Sequence, residues 1–149
     1  MKKSKIKQKV ALALVAFTLV TGVVATNAKA INNSDTNWSF STFGNKDEGQ
    51  TMTDPREKTD TSPAYSKVEH YYGKSGDYLQ MFVVDADGND FNTRIVKTVT
   101  GSGQYSISSY AYEERGKADV RLRFYAPWRA FYSWSASGVW SPDSLGRYN

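Results

Sequence analysis

Between Ala118 and Ala126 apolar and polar side chains alternate without interruption. Ala118, Val120, Leu122, Phe124 and Ala126 fall on one face of an extended chain, and Asp119, Arg121, Arg123 and Tyr125 on the other. A period of two marks a half-buried β-strand, and no window of the chain sustains the 3.6-residue period of an amphipathic helix. A chain written in this period must bury one face of each strand against a second layer. The residues available for that layer are unusual. Beyond residue 30, Leu, Ile, Val and Phe make up only 19 of 119 residues, a share low enough to raise the question of disorder. The same stretch carries 20 aromatic residues, each able to bury about 150–250 Å². A core of rings and β-branched side chains is therefore expected.

Turn chemistry divides the rest into further strands. Asp77–Asp85 runs into Ala86-Asp87-Gly88-Asn89 and then Phe91–Thr100, and Asp-Gly between two strand-like runs signals a hairpin. Gly101-Ser102-Gly103 makes the next turn, Gln104–Tyr112 alternates again, and Glu113–Lys117 reads as a charged turn into Ala118. Trp38–Phe43, Tyr65–Tyr72 and Ala130–Val139 complete the set, and Pro127 and Gly138 are expected to break any longer strand carrying Trp128, Trp134 and Trp140. Residues 44–64 hold two prolines, many charges and almost no bulky apolar side chain, the composition of a mobile loop. The expectation is an all-β fold, a small antiparallel β-sandwich or barrel of about seven strands after an N-terminal signal helix. Its divisions are 1–30 signal peptide, 31–64 disordered leader with a short first strand and mobile loop, and 65–149 β-domain.

The charge is unevenly placed. Lys2, Lys3, Lys5, Lys7 and Lys9 precede an uncharged apolar run from Val10 to Thr26, which leads to Ala28-Lys29-Ala30. A basic n-region, an apolar h-region and a small-x-small site describe a secretory signal peptide cleaved after Ala30. The formal charge of the whole chain is +4, but six lysines lie in residues 1–30, and the remainder has 13 basic against 15 acidic residues. A mildly acidic mature chain creates no field to gather phosphate backbones, so nucleic acid is not an expected partner. No later apolar run is long enough to span a membrane. The expected partners are therefore the secretion machinery and signal peptidase, and the expected location is extracellular.

Chemistry-bearing constellations are few. With no cysteine and one histidine, thiol nucleophiles, Cys-ligated metals, disulfides and paired imidazoles are all excluded. Asp85, Asp87, Asn89 and Asp90 resemble part of a calcium loop. However, the sixth position is Asp90 where glycine is required, and the twelfth is Val96 where a bidentate glutamate is required. Asp and Asn also suit a hairpin turn, which is the preferred reading. His70 has no local nucleophile motif beside it. Glu113 and Glu114 are adjacent, so on a strand they point to opposite faces rather than flanking a common bond. Trp128, Trp134 and Trp140 recur every six residues, with Tyr132 between them. Such rings serve either the core or, if exposed, stacking on sugars. Arg121, Arg123 and Tyr125 form the outward stripe of their strand and could meet an anionic wall polymer. No cofactor, metal site or catalytic residue is expected, and the chain reads as a non-enzyme.

Several segments carry a family resemblance: Asn33-Ser34-Asp35 with Trp38-Ser39-Phe40, the Asp87-Gly88 hairpin, Thr98–Gly103, and Ser137-Gly138-Val139-Trp140-Ser141-Pro142-Asp143. With the signal peptide, they resemble a family of small secreted Gram-positive (Firmicute) proteins catalogued only as a domain of unknown function. The resemblance implies a secreted β-domain and transfers no active residue. The closing segment is also faintly similar to lactococcin 972-type bacteriocins, which are shorter and richer in histidine after the signal. Two functions follow as expectations. The first is a secreted non-enzymatic domain binding a cell-wall polymer or other envelope component at the cell surface, with Arg121, Arg123, Tyr125, Trp128, Trp134 and Trp140 as candidate contacts. The alternative is a bacteriocin-like antimicrobial acting on competitors' envelopes.

Overall fold

The computed structural model describes residues 34–42, 50–126 and 133–145. The expected signal segment with Ala28 and Ala30, the first residues of the expected leader, Trp128 and Tyr132 lie outside them. The described residues form two antiparallel sheets packed face to face, with no closed barrel, and one short helix. Sheet A takes the order β1 (Thr36–Thr42), β9 (Trp134–Ser141), β4 (Ala64–Tyr71), β7 (Gly103–Ile107). In sheet B, β8 (Ala118–Tyr125) lies beside β5 (Leu79–Asp85), which pairs in turn with β6 (Lys97–Val99). The other edge of β8 is shared by β2 (Gln50–Met52) and β3 (Arg56–Lys58).

β8 follows its alternation residue by residue. Val120, Leu122 and Phe124 are buried, while Asp119 and Tyr125 are exposed. Its inward side meets rings from sheet A: the Trp38 and Phe124 rings stack at 4.5 Å between centroids, and Phe40 lies 6.4 Å from Phe124 and 5.4 Å from Trp134. Trp38 is anchored by its indole N–H, which donates to Ser66 Oγ and to the Val139 carbonyl at 3.1 Å each. The aromatics thus take the interior positions that leucine would fill in a more ordinary sandwich.

Several local expectations are corrected. Within the expected mobile loop at 44–64, residues 50–58 build one interrupted edge strand, with Asp54-Pro55 in the gap, and Thr53 bridges it by donating its amide to Leu122 O. An edge strand faces solvent along one side, so it is written in polar and charged residues and can carry a proline where no ladder amide is needed. β1 and β3 are paired into the sheets, so the folded unit begins well before residue 65. The Asp-Gly hairpin is also shorter than expected. Gly88 takes φ +86° at the turn, Val84 bridges Asp90, and the chain then leaves the ladder until β6. Finally, the expected strand through Tyr112 stops at Ile107, and Ala111–Arg115 form a helix, α1. Glu113 and Glu114 sit in its first turn, where acidic groups suit the helix dipole, and Gly116 ends it at φ +68°.

β9 runs through Gly138 without a break. It lies between β1 and β4, which place Trp38 and Val68 opposite Gly138. A Cβ at Gly138 would lie 1.9 Å from the Lys67 carbonyl oxygen, so glycine is required by this close approach.

Candidate functional site

The pairing of β4 with β9 slips between Val68 and His70, which introduces a β-bulge at Glu69. Before the bulge, Ala64, Ser66 and Val68 point inward; after it the phase inverts, so His70 is exposed while Tyr71 packs on the core. Such a bulge re-aims every side chain that follows it. The Tyr71 ring lies 5.5 Å from Trp134, and its hydroxyl donates to Asp77 O at 2.9 Å. Tyr72 is 67% exposed, its amide donates to Ser135 O at 2.8 Å, and its ring stacks on His70 at 6.1 Å.

Tyr72 and Trp134 flank an open groove of about 260 Å³ whose other walls are Ser41, Thr42, Ser133 and Ser135. Among the described residues the lining combines two aromatic side chains with four hydroxyl-bearing ones and includes no charged side chain. Such a surface can stack an apolar ring face and exchange hydrogen bonds with neutral hydroxyls.

The residues singled out from sequence fare differently. Trp134 is 4% exposed and Trp140 0%, so both serve the core, and only the border of Trp134 reaches the groove. Their even spacing does put them on one face, but the inward one. Arg121 and Arg123 are half-buried rather than a free stripe. Arg121 donates to Ala86 O at 2.6 Å and Thr53 O at 2.9 Å, and Arg123 to Gly88 O at 2.9 Å. Arginine has five donors, and the carbonyls of the 85–90 turn and the edge strand take up several of them. Tyr125 is 41% exposed on the same face.

Asp85 is the internal clamp of its own turn. Its Oδ1 accepts the amides of Asp87 and Asn89 at 3.0 and 2.8 Å, and Arg115 reaches its Oδ2 at 3.2 Å. Burial pushes the Asp85 carboxyl up, yet the donors from Asn89, Asp87 and Arg115 hold it below its ordinary value. Among the described residues no group of three or more His, Cys, Asp or Glu is placed to hold a metal ion. Glu113 is exposed on α1, and Glu114 accepts the Asn92 amide at 3.1 Å. His70, Asp85 and the glutamates therefore lie on separate elements.

A second cluster had no sequence signal. Lys58 at the end of β3 and Asp143 beyond β9 form an ion pair at 2.9 Å with side chains 1% and 0% exposed. Lys58 Nζ also donates to Ser62 O and to Pro142 O. Asp143 Oδ2 accepts both the amide and the hydroxyl of Thr59, at 2.9 and 2.6 Å. Burial pushes the Asp143 carboxyl up, but the hydrogen bonds from Thr59 and Lys58 outweigh it and hold the group below the usual range. Ser141 Oγ donates to Asp143 O, and Ser144 N to Ser62 Oγ, so the segment after β9 is held against the 58–62 loop. A lone lysine in a charged stretch and a lone aspartate 85 positions later carry no mutual pattern, so only the folded chain reveals the pair.

A family model described as a protein of unknown function (DUF2712) matches residues 24–144. No curated protein matches the chain.

Proposed function

The chain belongs to the DUF2712 family of proteins of unknown function, and we propose that it is an exported, non-enzymatic domain that binds neutral glycan of the cell wall. The observation that carries this reading is the groove between Tyr72 and Trp134, whose described lining adds the hydroxyl-bearing Ser41, Thr42, Ser133 and Ser135 and no charged side chain. Sugar rings offer an apolar C–H face and a rim of hydroxyls, and this lining complements both. The retention of Arg121 and Arg123 by backbone carbonyls favours a neutral ligand over an anionic one. Binding rather than turnover is favoured because Asp85 is committed to its turn and His70 to an exposed ring stack. Residues 1–30 act as the export signal, cleaved by signal peptidase after Ala30.

The test is sedimentation of purified protein with cell wall, before and after removal of its teichoic acids. The wild type is expected to sediment equally with both preparations, and Tyr72→Ala to lose at least about tenfold in affinity, in line with the large share of binding energy carried by aromatic anchors. Failure of the wild type to sediment with either wall, or unchanged binding by the variant, overturns the reading. Clearing of lawns of related bacteria by the purified protein would assign it to the antimicrobial class instead.

A further inference from the structure

We propose that Lys58 and Asp143 become joined by an intramolecular amide between Lys58 Nζ and Asp143 Cγ, formed by the folded chain itself with release of one water. The geometry that points to this is the fully buried contact at 2.9 Å together with the way every other polar atom of the pair is held. An ammonium has three N–H donors. Here one faces Asp143 Oδ1 and the others are taken by the Ser62 and Pro142 carbonyls. The step begins with transfer of the first proton to Oδ1 along this hydrogen bond, which leaves an amine whose two remaining protons face the Ser62 and Pro142 carbonyls.

On the far side, Thr59 N–H and Thr59 Oγ–H both donate to Asp143 Oδ2. Two donors on one oxygen are the arrangement that stabilises negative charge as an amine adds to a carbonyl carbon. The balance is then complete within the cluster. The Nζ–Cγ bond forms, the Cγ–Oδ1 bond breaks, and Oδ1 leaves as water with the transferred proton and a second from Nζ. One hydrogen stays on the amide nitrogen, which keeps a backbone carbonyl as its acceptor. No oxidant, metal or external group is needed. Holding amine and carboxyl together in this way replaces a bimolecular encounter by an intramolecular one. The product ties the edge of sheet B to the segment that follows sheet A, across a sequence separation of 85. It supplies the kind of long-loop cross-link that a cysteine-free chain cannot obtain from a disulfide.

The test is the intact mass of the purified full chain under denaturing conditions, followed by tandem mass spectrometry of a tryptic digest. The expected result is a mass one water below that calculated for the residues present in the purified chain, and a branched peptide joining the Lys58 segment to the Asp143 segment. Lys58→Arg keeps the positive charge but lacks the nucleophilic amine, so it is expected at full mass, as is Asp143→Ala. A wild-type chain at full mass overturns the proposal. So does a loss of water that maps to cyclisation at Asp87-Gly88, or one that persists in Lys58→Arg.

Discussion

Replacing Gly138 by alanine tests the packing at the centre of sheet A. The backbone at Gly138 has no positive φ, so alanine is not excluded there by conformation. What excludes it is contact: the added Cβ would lie 1.9 Å from Lys67 O, where ordinary van der Waals contact begins at 3.4 Å. Relief requires a displacement of about 1.5 Å between two hydrogen-bonded strands that are spaced only about 4.7–4.9 Å apart. Overpacking of this kind costs about 1–3 kcal/mol. A shift of that size also weakens roughly two ladder hydrogen bonds, at about 0.5–1.5 kcal/mol net each. A loss of about 3–5 kcal/mol is therefore expected, a large part of the roughly 5–15 kcal/mol that holds a domain folded. Urea unfolding followed by tryptophan fluorescence measures it, because Trp38, Trp134 and Trp140 are all buried. Gly101→Ala is the control: its Cβ would meet nothing within 4 Å and its φ is not positive, so a change within about 0.5 kcal/mol is expected. A Gly138→Ala protein within 1 kcal/mol of wild type would show that the strands can separate at no cost, and the close-approach argument would fail.

Two further outcomes follow from polar side chains that hold backbone atoms around the 85–90 turn. Asp85→Ala leaves two turn amides without their acceptor and is expected to cost about 1–3 kcal/mol at neutral pH. Because the folded carboxyl lies below its unfolded value, near 3.9, its contribution is present above that value and disappears as pH falls through the folded pKa. The stability curves of wild type and variant should converge in acid, and parallel curves down to pH 2 would contradict the role given to the carboxylate. Arg121→Ala removes hydrogen bonds to Ala86 O and Thr53 O. It is expected to lower the urea midpoint while leaving wall binding per folded molecule unchanged, and a selective loss of binding would return Arg121 to the ligand surface.

The all-β sandwich was legible because β8 announces itself by strict alternation and because the turn residues punctuate the chain. The short edge strands at 50–58 were not, since an edge needs only one satisfied side and its sequence resembles that of a loop. The helix at Ala111–Arg115 is too short to display a period. Alternation also misleads at the bulge. Counting by twos from Val68 puts His70 inside and Tyr71 outside, and only the extra residue at Glu69 reverses them. The groove depends on that reversal, because Tyr72 reaches it from the end of β4. The tryptophan spacing correctly placed Trp134 and Trp140 on one face but left open which face it was. The stacked and tilted rings of Phe40, Trp38 and Phe124 show why it is the interior: with so few aliphatic residues, rings must complete the core that Val68, Leu79 and Leu122 begin.

The position of β9 governs when this fold can exist at all. Among the described residues β1 has no strand partner other than β9, and Thr36 pairs with Trp140 more than a hundred residues later. Sheet A therefore lacks its central strand until the chain has been delivered through Ser141. Sheet A can close only when β9 inserts between β1 and β4, and pairings of such long range form slowly, so β1 gains its partner late in folding.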